Sequence, residues 1–132
     1  MIVLDTHVLV WWASGARSEL SRKAKKAIDD AFASGQILIS SISAWEIAAL
    51  VSKKRIALSM DVADWLQIVA AAPGVKFIPV DNEIAVQSVA LPGEFHKDPA
   101  DRFIVATARK FSAPLITKDE KIREYANVKT IW

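Results

Sequence analysis

The chain has 132 residues, of which 52% are hydrophobic and 24% are charged, with no cysteine and a net charge of +2. This composition favours one folded domain with a substantial core, and it excludes a disordered chain, a disulfide framework and a thiolate metal site. So small a net charge does not by itself indicate nucleic-acid binding.

The N-terminal segment MIVLDTHVLVWW is apolar but is interrupted by Asp5. It lacks the basic flank and small-residue cleavage site of a secretory signal, so we expect no signal peptide. No other apolar run approaches the roughly 18 residues that a membrane span needs. We therefore expect a cytoplasmic protein with no membrane partner.

In the first part of the chain, short apolar runs alternate with segments of helical periodicity. The predicted elements are a strand at 1–4, a short helix at 6–13, a helix at 18–34, a strand at 36–40 and a helix at 42–54. The helix at 18–34 is expected to end at Gly35. Its core face is predicted to carry Leu20, Ala24, Ala27, Ile28, Ala31 and Phe32.

The same alternation continues to the end of the chain. The predicted elements are a helix at 61–72, a strand at 75–80, a helix at 81–90, a loop at 91–97, a helix at 99–111, a strand at 113–117, a short helix at 119–125 and a strand at 128–132. This order predicts a three-layer α/β/α domain over residues 1–132 with a central, mostly parallel sheet. Such sheets bind ligands at the carboxyl ends of their strands.

Four acids lie where that edge is expected. Asp5 directly follows the first strand, Glu46 lies one helical turn past the second, and Asp119 lies two residues past the strand at 113–117. Asp101 is in the first turn of a helix that is predicted to return to the same edge. We therefore expect these four carboxylates to line one cleft.

Such a cluster of acids favours a bound cation. Carboxylates within about 4–6 Å of one another raise each other's pKa, so a divalent ion that neutralises them stabilises the site. Oxygen ligands without cysteine favour Mg²⁺ or Mn²⁺ over Zn²⁺. Two such ions about 4 Å apart can activate water and stabilise the leaving oxygen in phosphodiester hydrolysis.

Each acid also has a purely structural interpretation. Ser43 to Glu46, Asp98 to Asp101 and Thr117 to Glu120 each have the spacing of a helix cap and an acid three residues later. First-turn acids also complement the helix dipole by about 0.3–1 kcal/mol. Singly, each pattern favours a cap. Asp5 ends a wholly apolar strand, where a lone buried charge is costly, so the four acids together favour the metal site.

Four sequence segments are distinctive in combination. They are LDTHVLVWW (4–12), SSISAWEIAAL (40–50), DPADRFIVATA (98–108) and LITKD (115–119). In this order and spacing the chain resembles the PIN-domain ribonucleases, and among them the VapC-type toxins of bacterial toxin–antitoxin pairs. The resemblance implies a PIN-like fold and an endoribonuclease that uses Mg²⁺ or Mn²⁺ to hydrolyse RNA, leaving a 5′-phosphate and a 3′-hydroxyl.

The resemblance also implies site roles. The catalytic and metal-binding set is Asp5, Glu46, Asp101 and Asp119. The pattern D-x-x-I-x-A-T-A begins at Asp101, which makes Asp101 rather than Asp98 the expected ligand. Whether Asp119 binds metal directly or through water stays open.

Further residues are expected around this set. Asp98 is expected to cap its helix, Thr6 to touch metal-bound water or phosphate, and Ser40 and Thr117 to orient carboxylates. Candidate RNA contacts are Lys53, Lys54 and Arg55, for which a solvated helix end is an equal alternative. Neither histidine is expected to bind metal, and we expect Arg102 to pair with an acid such as Asp98.

The implied partners are an RNA substrate, a cognate VapB-like antitoxin and a second copy of the chain in a homodimer. The segments 18–34 and 42–72 are the candidate docking regions for the antitoxin.

Non-catalytic functions form the alternative. A receiver-like regulatory domain with an acidic pocket requires paired acids after its first strand, where this chain has Asp5 and Thr6. A haloacid-dehalogenase-type phosphatase requires an acid at the position of His7. A PIN domain that binds RNA without cutting it stays open.

Overall fold

The computed structural model describes residues 1–132 and contains one parallel sheet between two layers of helices. Its strands are β1 (Ile2–Leu4), β2 (Ile37–Ser40), β3 (Val75–Ile78), β4 (Leu115–Ile116) and β5 (Thr130–Ile131). Their order in the sheet is β3-β2-β1-β4-β5, and every neighbouring pair is parallel. The predicted α/β/α fold is confirmed.

Seven helices connect the strands. They are α1 (Thr6–Ala13), α2 (Arg22–Ala33), α3 (Ile42–Ser52), α4 (Val62–Ala71), α5 (Asn82–Val89), α6 (Pro99–Lys110) and α7 (Glu120–Arg123). The helix predicted from residue 18 begins at Arg22, because the Ser21 hydroxyl caps it by accepting from the Ala24 amide at 3.1 Å. Phe32, predicted in the core, is 41% exposed. None of these helices has the length and apolar composition that crossing a membrane requires.

Alternation along the strands explains the three layers, since successive strand residues face opposite sides of a sheet. Ile2 and Leu4 of β1 belong to a core cluster of 14 buried residues that also includes side chains from α1, α2 and α4. Val3 points the other way, into a cluster of 13 that includes side chains from α5 and α6. The sheet is therefore covered on both faces.

The centre of the sheet is its topological switch point. The chain moves outward from β1 to β2 and β3 on one side, then returns to place β4 on the other side of β1. Ligands bind at the carboxyl ends of strands beside such a reversal. The order also excludes the receiver-like alternative, because a flavodoxin-like sheet places β3 beside β1.

Candidate active site

A cavity of about 590 Å³ opens at the switch point, and six acidic side chains line it. These are Asp5, Glu46, Asp98, Asp101, Asp119 and Glu120. A larger and more open hollow of about 790 Å³ is lined by residues of the 91–97 loop and its neighbours, but Glu94 is the only acid among them. The chemistry of the carboxylates makes the smaller cavity the candidate site.

Asp5 is fixed by the strand ends. It caps α1, and its Oδ1 accepts from the Thr6 amide at 2.9 Å. Its Oδ2 accepts from the Thr117 hydroxyl at 2.6 Å, and that buried hydroxyl also accepts from the Asp119 amide at 3.1 Å. Thr117 is therefore bonded to a carboxylate, and its role in the function of the site stays a prediction. Burial raises the pKa of Asp5, although these hydrogen bonds oppose the rise.

Glu46 is held by a chain of hydroxyl groups. The Thr6 hydroxyl donates to Glu46 Oε1 at 2.5 Å and lies 2.8 Å from the Ser43 hydroxyl. Because the one hydroxyl hydrogen of Thr6 goes to Glu46, Ser43 donates to Thr6. Ser43 is therefore not the helix cap that its spacing indicated; Ser41 occupies that position. Burial raises the pKa of Glu46 as well.

Asp101 is differently placed, in the first turn of α6. Asp98 caps this helix as predicted, its Oδ1 accepting from the Asp101 amide at 3.1 Å, and Pro99 follows at the first helical position. No hydrogen bond reaches the Asp101 carboxylate. His96 Nε2 lies 3.1 Å from its Oδ2, in an arrangement that leaves this buried nitrogen without a hydrogen-bond partner.

The charge around Asp101 is therefore poorly compensated. Burial raises its pKa to about 8, and the carboxylates of Asp5, Asp98, Asp119 and Glu46 add to the rise. No lysine or arginine forms an ion pair with any of the six acids that line the cavity. The site is an uncompensated concentration of negative charge.

Asp119 and its neighbours correct one predicted cap. Asp119, not Thr117, caps α7, because its Oδ1 accepts from the Lys121 amide at 2.8 Å. The Thr117 hydroxyl is occupied with Asp5 and the Asp119 amide. Thr117 and Glu120 therefore have the spacing of a capping box but do not form one.

Two expected site roles are wrong. The Ser40 hydroxyl orients no carboxylate; it accepts from the Ile42 amide at 3.2 Å and so holds the turn from β2 into α3. Arg102 pairs with no acid. Its guanidinium ties α6 to α5 and to the loop before α6. It donates to four backbone carbonyls, those of Ser88, Val89, Phe95 and His96.

Two further sets of expected contacts, with RNA and with metal-bound water or phosphate, are not tested by the hydrogen bonds of the site. The three candidate RNA contacts Lys53, Lys54 and Arg55 are exposed at the end of α3 and do not line the cavity. Their contact with RNA stays a prediction. The Thr6 hydroxyl is engaged by Ser43 and Glu46, so its contact with water or phosphate also stays a prediction.

The donor set fits a hard divalent cation. All the acids supply oxygen, no cysteine is present, and no lysine or arginine forms an ion pair with them. No three histidine or acidic side chains converge on one point closely enough to hold an ion in this arrangement. Coordination would therefore require side-chain rotations, which the free carboxylate of Asp101 permits more readily than the hydrogen-bonded carboxylate of Asp5.

The comparisons with known proteins agree with the fold and the motifs. The sequence profile of the PIN domain family matches residues 2–128. The chain is 37% identical to Ribonuclease VapC22 of Mycobacterium tuberculosis over 133 aligned positions, covering 99% of this chain and 98% of that protein.

Solved structures show the same fold. VapBC2 of Rickettsia felis, solved with a promoter DNA fragment, aligns with a TM-score of 0.71 at 20% identity, covering 98% of this chain and 97% of that one. A toxin–antitoxin complex from Klebsiella pneumoniae aligns with a TM-score of 0.63 at 24% identity, covering 97% and 95%. FitAcB of Neisseria gonorrhoeae aligns with a TM-score of 0.65 at 20% identity, covering 98% and 96%. The chain belongs to the PIN domain family, within its VapC-type group.

Proposed function

We propose that this protein is a metal-dependent endoribonuclease, the toxin of a toxin–antitoxin pair, and that residues 1–132 act as one nuclease domain. Asp5, Glu46, Asp101 and Asp119 would hold Mg²⁺ or Mn²⁺. The observation that carries the proposal is the cavity of about 590 Å³ lined by six acids, none paired with lysine or arginine. The 37% identity to a protein named as a ribonuclease supports the reaction class.

The chain's own residues prepare the site. Thr117 holds one oxygen of Asp5, and the Ser43–Thr6 pair holds one oxygen of Glu46, which leaves other lone pairs for the ion. Asp98 fixes the first turn of α6 and thereby the backbone of Asp101. A bound divalent ion would supply the positive charge that activates water and stabilises the phosphate in the transition state. It would also favour the ionised form of Asp101.

The direct test is cleavage of total RNA by protein purified free of any partner, with Mg²⁺, Mn²⁺ or EDTA. We expect cuts with an ion and none with EDTA, with 5′-phosphates at the new ends. Asp101→Asn keeps the side-chain shape but removes the charge, so we expect a loss of roughly 10²–10⁴ in rate. Asp64→Asn is the matched control, because Asp64 is exposed on α4 and does not line the cavity.

Two outcomes would contradict the proposal. One is a folded protein that cuts no RNA with any divalent ion. The other is an Asp101→Asn variant that cuts as fast as the wild type. Binding of RNA without cutting would favour the non-catalytic PIN domain instead.

The proposal includes a VapB-like antitoxin as protein partner. An apolar groove of about 370 Å³ runs between the end of α1, the segment before α4 and α4 itself, and seven of its nine lining residues are hydrophobic. Ile68 is 60% exposed there and Met60 is 42% exposed. Such a groove suits the apolar face of a partner helix.

An added charge tests this docking surface. Ile68→Asp should relieve inhibition by a co-expressed antitoxin and leave partner-free cleavage unchanged. Gln67→Asp adds the same charge beside the groove, on an exposed residue that does not line it. Equal inhibition of the wild type and the Ile68→Asp variant would assign the antitoxin to another surface.

The proposed assembly is a homodimer acting on RNA in the cytoplasm. Val86 and Val89 lie one turn apart on α5 and are 64% and 80% exposed, which gives a second copy an apolar patch to cover. Sedimentation of the purified chain measures the dimer, and Val89→Lys should shift it towards monomer. Sedimentation of the wild type as a monomer would contradict the homodimer.

A further inference from the structure

Three non-acidic side chains that line the acidic cavity lie beside one another and form an aromatic wall. They are His7 and Trp11, one turn apart on α1, and Lys118, which follows β4; we call these three residues the aromatic wall. The His7 and Trp11 ring centroids are 5.9 Å apart, and Lys118 Nζ lies 5.9 Å from the centroid of the Trp11 ring. The wall therefore rises from the same two strand ends that position Asp5 and Asp119.

Packing of the core accounts for only part of this wall. Trp11 is half-buried and packs against the edge of the core near Trp132, at 6.2 Å between centroids. It nevertheless contributes to the cavity lining, and both His7 and Lys118 are exposed. Lys118 directly precedes Asp119 and Glu120 yet forms no ion pair with any acid. A cation beside an indole, unpaired among carboxylates, calls for a ligand with both an aromatic and an anionic part.

We propose that the aromatic wall binds one nucleotide of the RNA substrate beside the bond that is cut. Trp11 stacks on the base, and Lys118 contacts the adjoining phosphate. This inference rests on the proposed ribonuclease function. The carboxylates repel the phosphates of RNA, so stacking on Trp11 and the charge of Lys118 supply attraction that the carboxylates do not.

The wall acts on binding, which gives it a kinetic signature. We expect Trp11→Ala to raise KM for RNA about 10-fold, since stacking on an aromatic side chain contributes about that much per base, with kcat within a factor of two. Trp11→Phe should keep most of the affinity. Lys118→Gln should lower the slope of log KM against log salt by about 0.7, the value expected for one phosphate contact on a single strand.

The experiment uses a short synthetic single-stranded RNA that carries a cut site mapped in total RNA. Versions that are abasic at the nucleotide 5′ or 3′ to the cut complete a cycle with Trp11→Ala. We expect one abasic position to raise the wild-type KM as much as Trp11→Ala does, and the two changes together to add nothing more. Trp45→Ala is the matched control, because Trp45 is 65% exposed on α3 and outside the cavity.

The outcomes separate this inference from the function beneath it. If the wild type cuts no RNA, the proposed ribonuclease function is contradicted, and so is the role of the aromatic wall. Unchanged KM in Trp11→Ala, or additive effects at both abasic positions, overturns the wall alone. A Trp11→Ala variant that changes only inhibition by the antitoxin, with unchanged KM for RNA, also overturns the role of the wall. If Trp11→Ala does not fold, the Lys118→Gln variant tests the inference instead, because Lys118 is exposed and forms no ion pair. An unchanged salt dependence of KM in that variant overturns the inference.

Discussion

The two sides of the acidic cavity are built in different ways. On the side of β1 and α3, Asp5 and Glu46 each accept a hydrogen bond from a buried threonine hydroxyl. On the side of α6, the Asp101 carboxylate accepts none, and its pKa rises to about 8. Half of the site is therefore fixed by the fold, and the other half carries charge that the protein itself leaves unbalanced.

The difference shows where a ligand changes the energy of the site most. We expect Asp5 and Glu46 to keep their positions when an ion binds, because the hydroxyl groups that hold them are buried. Asp101 gains most from a cation, because burial and, after it, repulsion by four other carboxylates favour its protonated form.

Asp101→Asn should stabilise the protein at pH 8 in EDTA, by roughly 2–5 kcal/mol. The folded pKa lies above the ordinary value, so the contribution of Asp101 to stability is fully present below about pH 4 and is lost as pH rises to about 8. Urea unfolding of both proteins across this pH range measures the gain, and Mg²⁺ should reduce it. An equal difference at pH 5 and pH 8 would contradict the charge imbalance at Asp101.

Thr117→Val tests the fixed half. It should slow RNA cleavage 10- to 100-fold, the range for loss of a residue that orients a metal ligand, and should cost about 1–3 kcal/mol of stability by leaving Asp5 under-bonded. Thr107→Val is the matched control, because Thr107 is equally buried but its hydroxyl donates to the Phe103 carbonyl of its own helix. Equal cleavage rates in the two variants would mean that Thr117 does not position Asp5 for catalysis.

Thr6→Val should slow cleavage about 10-fold, because Glu46 loses the hydroxyl that holds one of its oxygens. Ser43→Ala should cause a smaller loss, since it removes a bond one step further from the carboxylate. Steady-state rates at saturating Mg²⁺ and at limiting Mg²⁺ distinguish lost ion affinity from lost activity. A larger effect from Ser43→Ala than from Thr6→Val would contradict the order of hydrogen bonds from Ser43 through Thr6 to Glu46.

Ser40→Ala should have the smallest effect. We expect a loss of about 1 kcal/mol of stability, because the Ile42 amide loses its acceptor, and a cleavage rate within a factor of two of the wild type. Thermal unfolding and the RNA assay measure the two quantities. A large loss of cleavage with little loss of stability would restore Ser40 to the site.

The sequence predicts the layers and the edge of the sheet well, because both follow from local patterns. The apolar strands ending at Leu4 and Ile116 and the acids just beyond them place the cavity without any knowledge of tertiary contacts. Metal binding by Asp5, Glu46, Asp101 and Asp119 stays a prediction.

Hydrogen-bond partners are less accessible from the sequence. Ser40, Ser43 and Arg102 all have partners that differ from the expected ones, because a hydroxyl or guanidinium bonds whatever the folded chain brings near. The carbonyls that accept from Arg102 belong to the last turn of α5 and to the loop before α6, and no sequence pattern identifies them as acceptors. The approach of His96 to Asp101 depends on the path of the loop before α6 and is equally hidden.

The bond from Thr117 to Asp5 also has a consequence for the timing of synthesis. It joins residues 112 positions apart, so Asp5 leaves the ribosome long before the threonine that holds it. A growing chain can place β1 and β2 early, but β4 must follow before Asp5 is held. For a protein proposed to cut RNA, the acidic site is therefore completed only after β4 has been synthesised.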